Sequence, residues 1–480
     1  MPRALRRQAS VLGIAFLLAG LWCLVFVMDG SVRAASGVEF KNFELAATPP
    51  QPVGTTCPGS GGKCTNNAAE PAIRADKTGN FYASSENGLS RGTLAWKSTD
   101  NGRHYSTLVS PNSVSAGSEN TGFAPGGGDT DLAVAAGKNA SGRYNVYVSS
   151  LSLANVTVST SKDGGQSFSK NVTSATVPGD DREWIAADGS KKVCISYHDI
   201  ATENIDVNCS YDAGKTFTQF GTAIDQQHVY LIENNQIGNL TIDPESHDVY
   251  QVLNGVANAE EAASSTIGYH AVWMGVSTDG GKTFRDYPVY ISPNEKANFN
   301  HQFTNVSVDK AGNVYAFWSN DHNVYYSYST DHGKHWSGVK KINSGLANTA
   351  IFPWSSAGDG SKVDVVYYGT SYYDGKRSPD SYPSSAKWHV YMAQIRNAAS
   401  ADQTIHQYRA SPVNHLGGVC ESGVSCSGNR DLYDDFGVAA SPTTGLASIV
   451  YSDDQPGNNA QDDHTSIATQ ASGPGIFGGS

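Results

Sequence analysis

Acid–base chemistry needs carboxyl groups and a cationic or proton-carrying partner at one point, and this sequence bunches such groups at a few places. Asp181-Arg182-Glu183 sets an arginine between two acids, and Arg430 closely precedes Asp434 and Asp435. Gly126-Gly127-Gly128-Asp129-Thr130-Asp131 puts two acids behind a glycine run whose backbone is free to approach a ligand. That run suits a structural calcium site or a catalytic acid. It is not a phosphate loop, because no lysine follows and the next element reads as a strand. Glu70, His198, His301 and Tyr451 stand singly at the ends of apolar alternating runs. Two carboxyl groups flanking a glycosidic bond hydrolyse it, and an arginine can grip a sugar carboxylate bidentately. The competing reading of every one of these residues is a turn cap or a brace between neighbouring elements.

What could bring such distant residues together is a repeat. Ser-x-Asp-x-Gly-x-x-aromatic occurs five times, from Ser98 to Tyr105, Ser161 to Phe168, Ser210 to Phe217, Ser277 to Phe284 and Ser329 to Trp336. The pattern suits a hairpin turn: Asp accepts backbone N–H bonds, Gly supplies a positive φ, and the aromatic packs between sheets. It resembles the Asp-box (BNR) repeat of sialidases and related β-propellers. The resemblance places the boxes on the outer strands of each blade, away from the working face, so their Asp residues are expected to be structural.

A second repeat, an alternating strand, a turn and a Val/Tyr-rich strand, runs over Pro71–Ser84, Asp131–Ser150, Trp184–Tyr197, Leu240–Leu253, Thr304–Trp318, Trp354–Tyr368 and Phe436–Tyr451. Seven such pairs predict an all-β chain, a β-propeller of seven blades with Asp-box hairpins; six blades is the alternative. Trp388–Ile395 and Thr404–Tyr408 are expected to finish the sixth blade without a box. Thr465–Thr469 and the early segment Val38–Leu45 are expected to finish the last and close the ring. In a propeller the first strand of each pair starts, and the second ends, at one channel mouth. That rule collects Asp129, Asp131, Asp181, Glu183 and Asp435 as catalytic candidates, with Arg182, Arg430, Glu70, His198, His301 and Tyr451 as substrate contacts.

Over nearly the whole mature chain the sequence resembles secreted sialidase-like BNR-repeat proteins. The resemblance implies exo-hydrolysis of a terminal sialic acid without a cofactor. An Arg-Ile-Pro motif opens the first blade of sialidases, and three arginines hold the substrate carboxylate. Here the corresponding stretch is Ala68-Ala69-Glu70-Pro71-Ala72, and the arginine is missing. Three functions stay open: a glycosidase acting on extracellular glycans, a polysaccharide lyase on the same scaffold, or a non-catalytic binding propeller.

The N-terminus sets the compartment. Arg3, Arg6 and Arg7 precede an apolar run from Val11 to Met28, and Ala34 and Ala35 follow, which predicts a secretory signal peptide over residues 1–35. The single propeller domain then spans 36–470, and 471–480 is expected to be a disordered tail. Seven cysteines leave six after cleavage, in three close pairs, Cys57 with Cys64, Cys194 with Cys209 and Cys420 with Cys426, and export predicts disulfides. The formal net charge of −12, with no basic run after the leader, argues against nucleic acid and anionic membranes as partners. A monomer acting on an extracellular glycan is the expectation.

Overall fold

The computed structural model describes residues 32–33, 37–45, 68–88, 92–112, 126–152, 155–171, 174–175, 179–264, 268–455 and 464–478. Within these, β-branched and aromatic runs bounded by Gly, Asp and Asn turns form antiparallel strands, as their composition favours. The strands assemble into seven sheets, six of them meanders in chain order. Blade 1 begins with Ala69–Ala75, blade 2 with Thr130–Lys138 and blade 3 with Asp180–Asp188. Blades 4 to 7 begin with Asn235–Ile242, Asn305–Val308, Thr349–Ala357 and Gly437–Ala440. These seven first strands touch one another in cyclic order, blade 7 returning to blade 1, so the molecule is a closed seven-bladed propeller.

Closure uses the N-terminal segment. Glu39–Glu44 pairs with His464–Ser472 as the outer strand of blade 7, and Val32–Arg33 adds beyond it. Pairing both chain ends in one sheet removes the edge that an open ring would leave. Blade 6 has no box; Lys387–Arg396 and Thr404–Arg409 complete it as expected. Residues 1–31, the expected cleavage point at Ala34–Ala35 and the pair Cys57–Cys64 lie outside the described residues.

Register fixes which end of each blade is which. In blade 3, Asp181 pairs with His198 and Asp199 with Asn204 at one end, while Asp188 pairs with Lys192 and Val193 with Ser210 at the other. The box turn after Ser210 therefore lies on the face opposite the Asp181 end. The same wiring in the other box-bearing blades puts all five boxes on that far rim. Each box glycine sits on the preceding blade: a Cβ at Gly214 would lie 2.6 Å from the Thr160 hydroxyl, and one at Gly333 would lie 3.1 Å from Val276. At both positions φ is also positive, so only glycine fits without strain.

Two expected disulfides are present. Cys194 and Cys209 are direct cross-strand partners with Cα atoms 4.1 Å apart. Cys420 and Cys426 close a short loop with Cα atoms 6.0 Å apart. The expected disordered tail is corrected. Ile476 is fully buried, its N–H donates to the Gly445 carbonyl, and its carbonyl accepts from Asp359. An isoleucine buried this way stabilises by about 2 kcal/mol, which pins residues 473–478 across blades 6 and 7.

Candidate active site at the channel mouth

The first strands are bulged where they enter the channel, in blade 1 between Ala69 and Ala72 and in blade 3 between Asp181 and Glu183. Glu70 (φ 49°) and Arg182 (φ 40°) sit at these bulges in left-handed backbone, which costs a non-glycine residue about 1 kcal/mol or more. A bulge re-aims a side chain, and here both side chains meet. Arg182 Nη1 lies 3.3 Å from Glu70 Oε2 and 3.8 Å from Asp129 Oδ2, and its Nη2 lies 2.5 Å from Asp435 Oδ2. The guanidinium also stacks over Trp184 at 4.1 Å and Phe303 at 4.6 Å. Trp184, Phe303 and Trp354 pack together below it, with centroid distances of 5.3 and 5.1 Å, and plug the channel.

Above the plug opens a cavity of about 710 Å3. Its wall includes Glu86, Asp129, Asp181, Arg182, His198 and Arg430. Arg430 lies 3.3 Å from Glu70 Oε1 and 2.5 Å from Asp434 Oδ2, so Glu70 bridges the two arginines. Glu70, Glu86 and Asp129 each place an oxygen within 4.8 Å of the others. Burial, and then repulsion from Asp129, raises Glu86 to about 7, opposed chiefly by its hydrogen bond to Glu70. Glu70 is raised well above the ordinary carboxyl range by burial and by Asp129, Asp434 and Glu86, against the pull of Arg182. Asp435 is raised to about 7 by burial, with Arg182 the main counterweight. Asp129 is raised by burial in the same way, again against Arg182.

The sequence rule thus brings together Asp129, Asp181, Arg182, Arg430 and His198 on the cavity wall, with Glu70 and Asp435 directly behind. Four expectations are corrected in placement. Asp131 faces away from the cavity and pairs with Arg74, with Nη2–Oδ1 at 3.0 Å, while its Oδ2 accepts from the Ile185 N–H. Glu183 is fully buried with no partner beyond its own backbone. The Tyr451 hydroxyl donates to Asn42 Oδ1 at 3.0 Å inside blade 7. His301 is buried between Asp321 Oδ1 at 3.0 Å and Glu421 Oε1 at 3.1 Å; burial works against its charge, but the two carboxylates raise it to about 10. The glycine run is used for packing: a Cβ on Gly127 would stand 2.4 Å from the Gly88 carbonyl, and only Asp129 of its two acids reaches the cavity.

Asp434, singled out with Arg430 and Asp435 but given no role, is on the wall too, and Glu86 and Glu421 complete it without having been candidates. Glu86 ends the second strand of blade 1, Phe81–Glu86, so the strand-end rule that selected His198 reaches it as well. Glu421 arrives on the Cys420–Cys426 loop, which no periodicity marks.

No family model matches this chain, and no curated protein does. Among solved structures it is similar to an α-L-arabinofuranosidase of Fusarium graminearum, at 12% identity over 89% of this chain and 96% of that one, with a TM-score of 0.44. It is similar to the NanB sialidase of Streptococcus pneumoniae at 12% identity over 85% and 69%, TM-score 0.41. An α-L-arabinanase of Penicillium chrysogenum shares 9% identity over 84% and 93%, TM-score 0.42. These are likenesses of fold.

Proposed function

We propose that the protein is a secreted glycoside hydrolase, a monomer that cleaves extracellular glycans at the channel mouth, with residues 1–35 serving as an export leader. One observation carries the reading: the cavity wall holds a partly exposed carboxyl, Glu86, titrating at about 7, with an Asp129 oxygen within 4.8 Å. An acid catalyst wants a pKa near the working pH, and its partner must differ in environment. Asp129 has that difference in Arg182: burial raises it, and the guanidinium beside it opposes that rise. Oxygens of the two groups lie within 4.8 Å of each other, which suits a double displacement, whereas inverting enzymes hold their carboxyl groups further apart to admit a water. Glu86 then gives its proton to the glycosidic oxygen as that bond to C1 breaks, and Asp129 bonds C1. In the second step Glu86 takes a proton from the water that displaces Asp129.

Glu86→Gln keeps the shape and removes the proton. Turnover of a susceptible alkyl glycoside or oligosaccharide, whose leaving oxygen needs that proton, is expected to fall by about 10²–10⁴-fold with the fold intact by circular dichroism. Unchanged turnover in the folded variant would remove Glu86 from the mechanism.

A further inference from the structure

We infer, resting on the glycosidase reading above, that the sugar seated in this cavity carries no carboxylate: the substrate is a neutral or amino-sugar glycan rather than a sialoside or uronide. The ground is the pairing of the arginines. A site for an anionic sugar keeps guanidinium donors free to meet it bidentately. Here Arg182 already faces Glu70, Asp129 and Asp435, is 5% exposed, and lies against the Trp184 and Phe303 rings. Arg430 is more open, yet its Nη2 is shared by Glu70 and Asp434, and its Nε also points to Asp434 at 3.4 Å. Arg182 cannot turn to a substrate carboxylate without stranding a buried acid, and Arg430 has its Nε and Nη2 engaged, so that a bidentate grip would take it from Glu70 or Asp434.

The rest of the wall has the same sign. Glu86, Asp129, Asp181, Glu421 and Asp434 line the cavity against those two arginines, and no lysine is among the described lining residues. His301 adds one positive charge, but it is buried between Glu421 and Asp321 and neutralised there. A carboxylate brought into this cavity would meet like charge at short range in a partly desolvated space, where repulsion is far stronger than in water. Sugar hydroxyls, by contrast, find acceptors on every side, and an ammonium finds counter-charge. Glu70, next to Pro71 at the entry of blade 1, adds a further acid to the channel and binds both arginines.

The test offers the full-length secreted protein three sets of p-nitrophenyl glycosides: neutral pentosides and hexosides, a sialoside with a glucuronide, and a glucosaminide. Hydrolysis is followed at 405 nm and binding of the parent sugars by saturation-transfer NMR. Cleavage confined to the neutral or amino-sugar sets is the expected result. Cleavage of the sialoside or glucuronide at a comparable rate overturns the inference and leaves the glycosidase reading standing. Neutral or amino sugars bound but uncleaved, with anionic ones unbound, sustain the inference and overturn the glycosidase reading. No binding or cleavage of any member overturns both. Asp434→Asn frees one side of Arg430 and is expected to raise affinity for glucuronate by roughly tenfold, about the value of one charge-assisted contact. No gain in a folded variant means that pairing is not what excludes the anion, and overturns the inference as well.

Discussion

Aspartates hold both faces of this propeller, yet the two faces treat them in opposite ways. On the far rim Asp163 accepts from Ser161 Oγ, the N–H groups of Gln166 and Ser167, and Ser167 Oγ, all between 2.6 and 3.0 Å. Slight burial would raise its pKa, but these donors outweigh burial and lower it, and the same holds for Asp100, Asp212, Asp279 and Asp331. At the mouth, Glu70, Glu86, Asp129 and Asp435 share two arginines among them and are all raised. The difference is one of supply. A local turn gives each rim Asp its own donors, whereas the mouth collects acids from separate blades faster than it collects cations. Glu86, raised to about 7, keeps its proton part of the time at neutral pH, and that is the condition acid catalysis needs.

The comparison breaks most sharply at Arg182. Arg182→Ala strands Glu70 and Asp435 in the channel and is expected to cost about 3–5 kcal/mol, the usual penalty for breaking a buried ion pair from one side. Urea denaturation measures it. A loss below about 1 kcal/mol would mean the acids simply take up protons when the arginine leaves, making the mouth more adaptable than its packing implies. The rim responds less. Asp163→Ala removes four hydrogen bonds from an exposed turn and is expected to cost about 1–2 kcal/mol while glycosidase turnover per folded molecule stays unchanged. Loss of turnover without loss of stability would put the working face on the wrong side.

The smallest effects are in pH, and their signs oppose. Glu86 and Asp435 titrate at about 7 in the fold and near 4 when unfolded, so the folded state holds their protons more tightly. Their contribution is full below about pH 4 and is lost as pH rises through 7. Glu86→Gln is therefore expected to match the parent protein in melting temperature only below about pH 4 and to exceed it at pH 8. A rim Asp is lowered, so its contribution is full above about pH 4 and lost as pH falls through its folded value. The stability gap between Asp163→Asn and the parent should narrow at pH 3. Gaps moving in the same direction at both faces would show that the two environments are alike.

Repeats carried most of what could be read before folding. Box spacing and the seven alternating pairs arise from period-two burial and turn chemistry, which are local and leave their mark on consecutive residues. The closing role of Val38–Leu45 followed from the same count, and the partners of Cys194 and Cys420 from their closeness in sequence. The strand-end rule also gathered Asp129, Asp181, Arg182 and Arg430 at one mouth, where they line a single cavity. It could not say which way a side chain leaves the strand. Asp131 and Glu183 stand one or two residues from the cavity wall and point elsewhere; at Glu183 the bulge after Asp181 shifts the alternation.

Sequence by itself therefore determined the all-β ring, its blade number and the face on which polar residues would gather, since each follows from patterns within a few residues. Only the tertiary structure decided the currency of the site. Glu70 meets Arg182 across 112 positions and Arg430 across 360, and Glu421 reaches the wall on a loop anchored to His301. Whether an arginine is free to hold a substrate or already bound to an acid depends on those long-range distances. Coulombic pairing in a buried channel is a property of the assembled ring, and no spacing along the chain encodes it.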